Sequence, residues 1–129
     1  MSGGERRIGG AQAGVKGSYG ERLVAGALEK NHWTILERNF RSRFGEIDLI
    51  AAGKEYIIFV EVKLRRTARF AEAREFVTKD KQRKLRATAE WYLTTHPTSL
   101  QPRFDVAEVY APGGAQTADP VIRYWQNAF

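Results

Sequence analysis

Gly45-Glu46-Ile47-Asp48-Leu49-Ile50 and, shortly after it, Phe59-Val60-Glu61-Val62-Lys63 decide how this chain is read. Both are apolar runs of strand character, yet each carries ionisable groups. An ionised side chain is costly to bury unless a partner compensates it, so these charges need a reason. Side chains alternate across a strand, which puts Glu61 and Lys63 on one face, about 7 Å apart along it. By the same rule Glu46, Asp48 and Ile50 share a face of the neighbouring run, with Ile47 and Leu49 opposite. Gly53-Lys54 is a tight connection, so the two runs are expected to form an antiparallel hairpin. If the pairing aligns Asp48 with Glu61, two carboxylates and an ammonium gather at the edge of an apolar sheet.

Working outward, Ser18 with Glu21 three residues later forms a capping-box pattern. Leu23, Val24, Ala27 and Leu28 then recur at helical spacing up to a stop at Asn31. Residues 33–40 fit a first strand, 46–52 a second and 56–64 a third. The third is apolar on both faces for most of its length, as expected of a covered central strand. After a polar, arginine-rich connection over 65–75, residues 77–93 read as the longest helix. Leu85, Thr88, Ala89, Tyr92 and Leu93 line one side of it, and Lys79, Lys81, Arg83, Lys84 and Arg86 the other. His96-Pro97 ends it, because proline disfavours helix in the residue before it. A fourth strand is expected over 103–110 with period-two alternation, and a last one over 121–129. The expected architecture is α/β, a mixed β-sheet flanked by helices in the order α-β-β-β-α-β-β. Residues 1–17, rich in glycine, read as a flexible tail before a single domain over 18–129.

The chain has 129 residues, a hydrophobic fraction of 43% and a formal charge of +6, with a pI near 9.8. That size suits one compact domain, and the charge points to a polyanionic partner. There is no cysteine, which excludes disulfides, thiolate zinc sites and cysteine nucleophiles together. This suits a reducing cytoplasm, where the protein is expected. No secretory signal or membrane span is visible, so no membrane partner is expected. His32 and His96 lack companions at zinc-ligand spacing.

Two carboxylates and a lysine suit phosphodiester hydrolysis. Mg²⁺ prefers oxygen ligands and keeps several waters, so one or two carboxylates plus a phosphate oxygen can hold it. The metal acidifies bound water and neutralises charge developing on phosphorus. A nearby lysine can orient or deprotonate the attacking water, or stabilise the transition state. Taken alone, Glu61 and Lys63 serve equally as an ion pair, and Glu21 as a cap.

Asp48, then Glu61-Val62-Lys63 on the next strand, with Glu21 on a preceding helix, resembles the PD-(D/E)xK nuclease superfamily with its restriction-endonuclease-like core. Within it the sequence is similar to archaeal Holliday-junction resolvases. The YraN family of bacterial proteins is a tighter match, carried by Gly20-Glu21, Arg38-Asn39-Phe40-Arg41, the run from Gly45 to Ala51, Phe59 to Lys63, Arg103-Phe104-Asp105-Val106 and Asn127-Ala128-Phe129. The resemblance implies that Asp48, Glu61 and the Val62 carbonyl ligate Mg²⁺ or Mn²⁺. Lys63 would be catalytic, and Glu21 would hold the metal directly or through water. The sequence departs from the superfamily pattern in having Ile47, not proline, before the aspartate.

The function expected is therefore a metal-dependent endonuclease acting on DNA, with branched or junction DNA as candidate substrate. Symmetric cutting of two strands would call for a homodimer. The alternatives are a nucleic-acid-binding module with little or no turnover, and a basic structural subunit of a larger assembly. Arginines flank the acidic pair on both sides: Arg38, Arg41 and Arg43 before it, Arg65, Arg66, Arg69 and Arg74 after it. With Lys79 and Arg83 they are expected to grip phosphates. Glu46 reads as a solvated neighbour within reach of a second metal, Asp105 as a structural partner for an arginine, and Trp33, Trp91 and Trp125 as core aromatics, one of which could instead stack on an unpaired base.

Overall fold

The computed structural model describes residues 18–66 and 77–129. The expected tail at 1–17 and the phosphate contacts expected of Arg69 and Arg74 lie outside those residues. The elements are α1 (Tyr19–Lys30), β1 (Thr34–Ser42), β2 (Gly45–Ala52), β3 (Tyr56–Arg65), α2 (Lys79–Thr95), β4 (Gln101–Tyr110) and β5 (Val121–Trp125). The expected order is found.

The capping box forms as read. Ser18 Oγ accepts from the Glu21 N–H at 3.3 Å, and the Ser18 N–H donates to Glu21 Oε1 at 3.0 Å. Two unsatisfied helix-start donors are thereby met. Asn31 caps the other end, its Nδ2 donating to the Ala27 carbonyl at 2.8 Å. The hairpin between β2 and β3 closes at Gly53, whose N–H donates to the Tyr56 carbonyl. Trp33 packs so closely there that a Cβ on Gly53 would lie 2.8 Å from its ring.

The five strands form one sheet in sequence order, β1-β2-β3-β4-β5. Only β3 and β4 are parallel; α2 makes the crossover between them. Among the described residues, one helix covers each face. Val24, Ala25 and Leu28 of α1 pack on Leu49, Ala51, Ile58, Val60, Ala107 and Val109. Leu85, Ala89 and Tyr92 of α2 pack on Ile47, Ile50, Ile57, Phe59 and Val106. Among the described residues, no helix is long and apolar enough to cross a membrane.

Four expectations need correction. β4 does not alternate: Asp105 to Tyr110 are buried without a break, because β4 lies between β3 and β5 and is covered on both faces. β5 stops at Trp125, and the residues after it turn inward, with Asn127 at φ 52 and Phe129 stacked on Phe104 at 5.2 Å. Thr78 caps α2, accepting from the Lys81 N–H, so the helix begins two residues later than expected. Trp91 is not in the core but 48% exposed. It sits one position from the buried Tyr92, about 100° further round the helix.

Candidate active site

The hairpin register runs from Ala52↔Ile57 to Leu49↔Val60, and its next step sets Asp48 beside Glu61. There the two strands part. The Asp48 carboxylate fills the gap and accepts the Val62 N–H through Oδ2 at 2.8 Å. On the other side Arg38 pairs with Leu49 and Phe40 with Ile47, so Asn39 lies opposite Asp48. Asn39 has φ 54, a left-handed conformation that asparagine tolerates better than most residues. Side-chain alternation breaks at this point: Ile47 and Ile50 pack into the same cluster under α2. The expected grouping of Ile47 with Leu49 is thus corrected, since Leu49 faces α1.

Burial raises the Asp48 carboxyl first, the charge of Glu61 second, and the Val62 hydrogen bond opposes them; with Glu21 also raising it, the group is pushed up to about 7. Glu61 is only 5% exposed. Its Oε2 lies 3.4 Å from both Lys63 Nζ and Lys81 Nζ. Glu21 serves cap and site together, because the start of α1 lies beside Asp48. Its Oε1 takes the Ser18 N–H and also Asn39 Nδ2 at 3.1 Å. The structure therefore brings Glu21, Asp48, Glu61 and Lys63 together.

The basic residues divide. Arg41 pairs with the exposed Glu46 at 3.1 Å, and Arg43 lies 4.9 Å above the Phe44 ring. Both sit at the β1–β2 turn. Arg38 shares a shallow depression with Glu29, Ile35, Leu36 and Glu37. Arg65 Nε is 3.6 Å from the fully buried Glu108, and the Arg66 guanidinium lies against Gly114. Lys79 opens α2, and Arg83 pairs with Asp80 at 2.7 Å. Asp105 is a structural partner, held by Arg103 through two bonds of 3.0 and 2.9 Å.

Residues 20–109 match the family described as "Uncharacterised protein family UPF0102". The chain belongs to this family. The resemblance to the YraN family is borne out, UPF0102 being that family. A UPF0102 protein of Caldanaerobacter subterraneus subsp. tengcongensis is 45% identical over 114 residues, covering 88% of this chain and 93% of the relative. One of Nitrosomonas europaea is 43% identical over 119 residues, 92% of this chain and 97% of its own. A third, of Aliivibrio fischeri, is 42% identical over 102 residues, 77% and 83% respectively.

Two residues at the site of this UPF0102 chain were not singled out from sequence. Lys81 gave no local sign that the first turn of α2 docks over Glu61. Asn39 did give one, since asparagine is depleted within strands. Its two contributions are separable. Asn39→Gly keeps the left-handed backbone and loses the amide to Glu21, whereas Asn39→Ala loses both. Urea denaturation is expected to find Asn39→Ala about 1–2 kcal/mol less stable than Asn39→Gly; equal stabilities would mean that the backbone at Asn39 carries no such preference.

Proposed function

We propose that the protein is a divalent-metal-dependent endonuclease hydrolysing phosphodiester bonds of DNA, branched or junction DNA being the substrate class the family resemblance favours. The observation that carries this reading is the gathering of Asp48, Glu61 and Lys63 where β2 and β3 part. Asp48 is pushed up to about 7 chiefly by burial, and next by the charge of Glu61. A small hard cation between the two carboxylates would offset both. The proposed donors are all oxygen, and among the described residues no three His, Cys, Asp or Glu side chains are grouped so as to hold a metal, so the ion would rest on two carboxylates and waters. Such a donor set fits Mg²⁺ or Mn²⁺, which retain waters, better than structural zinc.

Asp48 and Glu61 would hold the metal directly. The Val62 carbonyl is a fitting third donor, because the N–H and C=O of a strand residue point to the same edge and this N–H already meets Asp48. Glu21, held by Asn39, would act on the metal directly or through water. A metal held there would supply an acidified water and neutralise charge on the phosphoryl group. Lys63, against Glu61, would be placed to orient the attacking water, take its proton or stabilise the developing charge. Lys81 brings a second ammonium to the same carboxylate, in position to meet a substrate phosphate.

The test is cleavage of branched, single-stranded and duplex DNA with Mg²⁺ or Mn²⁺. Asp48→Ala, Glu61→Ala and Lys63→Ala are each expected to lower the rate by about 100-fold or more. Activity that survives all three changes must come from elsewhere. One observation favours the binding-module alternative: Glu61 Oε2 already meets two ammonium groups, so its charge is balanced without a metal. Calorimetric titration with Mn²⁺ separates the readings, since a module without turnover need not take up the ion.

A further inference from the structure

Two large aromatic side chains stand in water along the basic face of the fold, Trp91 at 48% exposure and Phe44 at 37%. They are linked through α2. Lys81, Lys84 and Trp91 fall along one stripe, about 15 Å from end to end at 1.5 Å per residue, and Thr88, between the last two, is fully buried. The first member of the stripe, Lys81, touches Glu61 of the candidate active site. Midway along, the β1–β2 turn docks on the helix. A Cβ on Gly45 would lie 3.4 Å from Thr88 Oγ1 and 3.5 Å from Lys84 Cβ, and Ser42 Oγ is 3.4 Å from Thr88 Oγ1. Phe44 precedes Gly45 in that turn, with the Arg43 guanidinium stacked on its ring at 4.9 Å.

The strip is thus aromatic and cationic by turns. Lys84 is exposed on this face and Thr88 is buried beneath the turn, so the strip offers two separate rings and no continuous hydrophobic patch to a folded protein partner. Of the acids nearby, Asp80 is matched by Arg83 and Lys84, at 2.7 and 3.2 Å, and Glu46 by Arg41, while Glu90 beside Trp91 is exposed. Lys79, Lys81 and Arg43 leave the surplus positive. Ring faces interleaved with cations match a ligand that presents flat bases and phosphates alternately. Paired bases keep their faces inside the duplex; unpaired ones do not.

We propose that Phe44 and Trp91 form a stacking platform for the unpaired bases of a single-stranded nucleic-acid segment, with Arg43 and Lys84 taking its phosphates. The platform leads such a strand towards Lys81 and the Asp48–Glu61 site. In its direction the inference rests on the nuclease reading; in its affinity it does not. It makes the preferred substrate one with an unpaired arm or gap.

The experiment compares binding of a labelled oligothymidylate and of a duplex of equal length, by fluorescence anisotropy, for the full chain and for Trp91→Ala, Phe44→Ala and the double variant. Each single change is expected to weaken single-strand binding by about 10-fold, and the pair by about 100-fold, with duplex binding changed less than about 2-fold. The oligonucleotide is also expected to quench tryptophan fluorescence in the wild type and much less in Trp91→Phe. Equal losses on both ligands, no loss on either, or no binding by the wild type overturn the platform. So does a dimer that Trp91→Ala dissociates while leaving oligonucleotide affinity unchanged, which would give the face to a second copy of the chain. Cleavage that requires Lys63 but ignores Trp91 and Phe44 leaves the nuclease standing without the platform. Aromatic-dependent binding with no cleavage leaves the platform without the nuclease.

Discussion

Asp48→Asn is expected to make the metal-free protein more stable at pH 8 while abolishing cleavage. In the folded chain this carboxyl is raised from its ordinary 3.8 to about 7, chiefly by burial and next by Glu61. Between those values the folded state holds a proton that the unfolded state has released, so raising the pH favours unfolding. The stability Asp48 contributes is full below about pH 4 and lost as the pH passes about 7, opposite in sign to an ordinary salt-bridged aspartate. Asparagine mimics the protonated form and keeps an oxygen for the Val62 N–H. A tenfold difference in proton affinity between folded and unfolded chain is worth about 1.4 kcal/mol. A gain on the order of 2 kcal/mol, about 5 °C or more in Tm, is expected. Calorimetry in chelator should give wild-type and variant curves that meet near pH 4 and separate as the pH rises. Curves that stay parallel would show that Asp48 titrates as an ordinary carboxylate. Mn²⁺ should then raise the Tm of the wild type and leave the variant almost unmoved.

Such a cost explains why these residues stand out in the sequence. Ser18 and Glu21, Gly53, and the apolar runs of β2 and β3 each announce a local structure whose cause lies within a few residues, and each forms as read. The charges at Asp48, Glu61 and Lys63 were legible because they break that pattern. What could not be read depends on which segments meet. The change of face between Ile47 and Ile50 needs Asn39 of the facing strand in a left-handed conformation. Lys81 reaches Glu61 only because the crossover sets the first turn of α2 above β3. Asp105 and Glu108, three residues apart and so on opposite faces of β4, are both fully buried, because β5 and the residues after it supply partners from a distance. Trp91 shows the converse: an aromatic residue beside a buried stripe that packing leaves outside.

Asp105→Ala is expected to be the most destabilising single change among the polar residues. The carboxylate is fully buried and accepts from Arg103 Nε at 3.0 Å and Nη2 at 2.9 Å, the Tyr124 hydroxyl at 2.6 Å and the Asn127 N–H at 2.9 Å. It joins β4 to β5 and to the residues after β5. Burial, then the charge of Asp105, pushes the Tyr124 hydroxyl well above its ordinary value, so that group remains a donor throughout the working range. Arg103 lies 4.7 Å over the Tyr56 ring and 5.5 Å over Trp33, its side chain only 11% exposed. Removing Asp105 strands that guanidinium in an enclosure of rings, and breaking a buried pair from one side costs about 3–5 kcal/mol. Against a typical total of about 5–15 kcal/mol, the urea midpoint should fall by about a fifth or more. Arg103→Met added to Asp105→Ala should recover part of the loss, because the stranded charge leaves with its partner. A loss under about 1 kcal/mol for Asp105→Ala, or a double variant no better than the sum of the singles, would refute this account. Mn²⁺ affinity measured well below the variant's Tm should match the wild type, since Asp105 supports the sheet and not the ion.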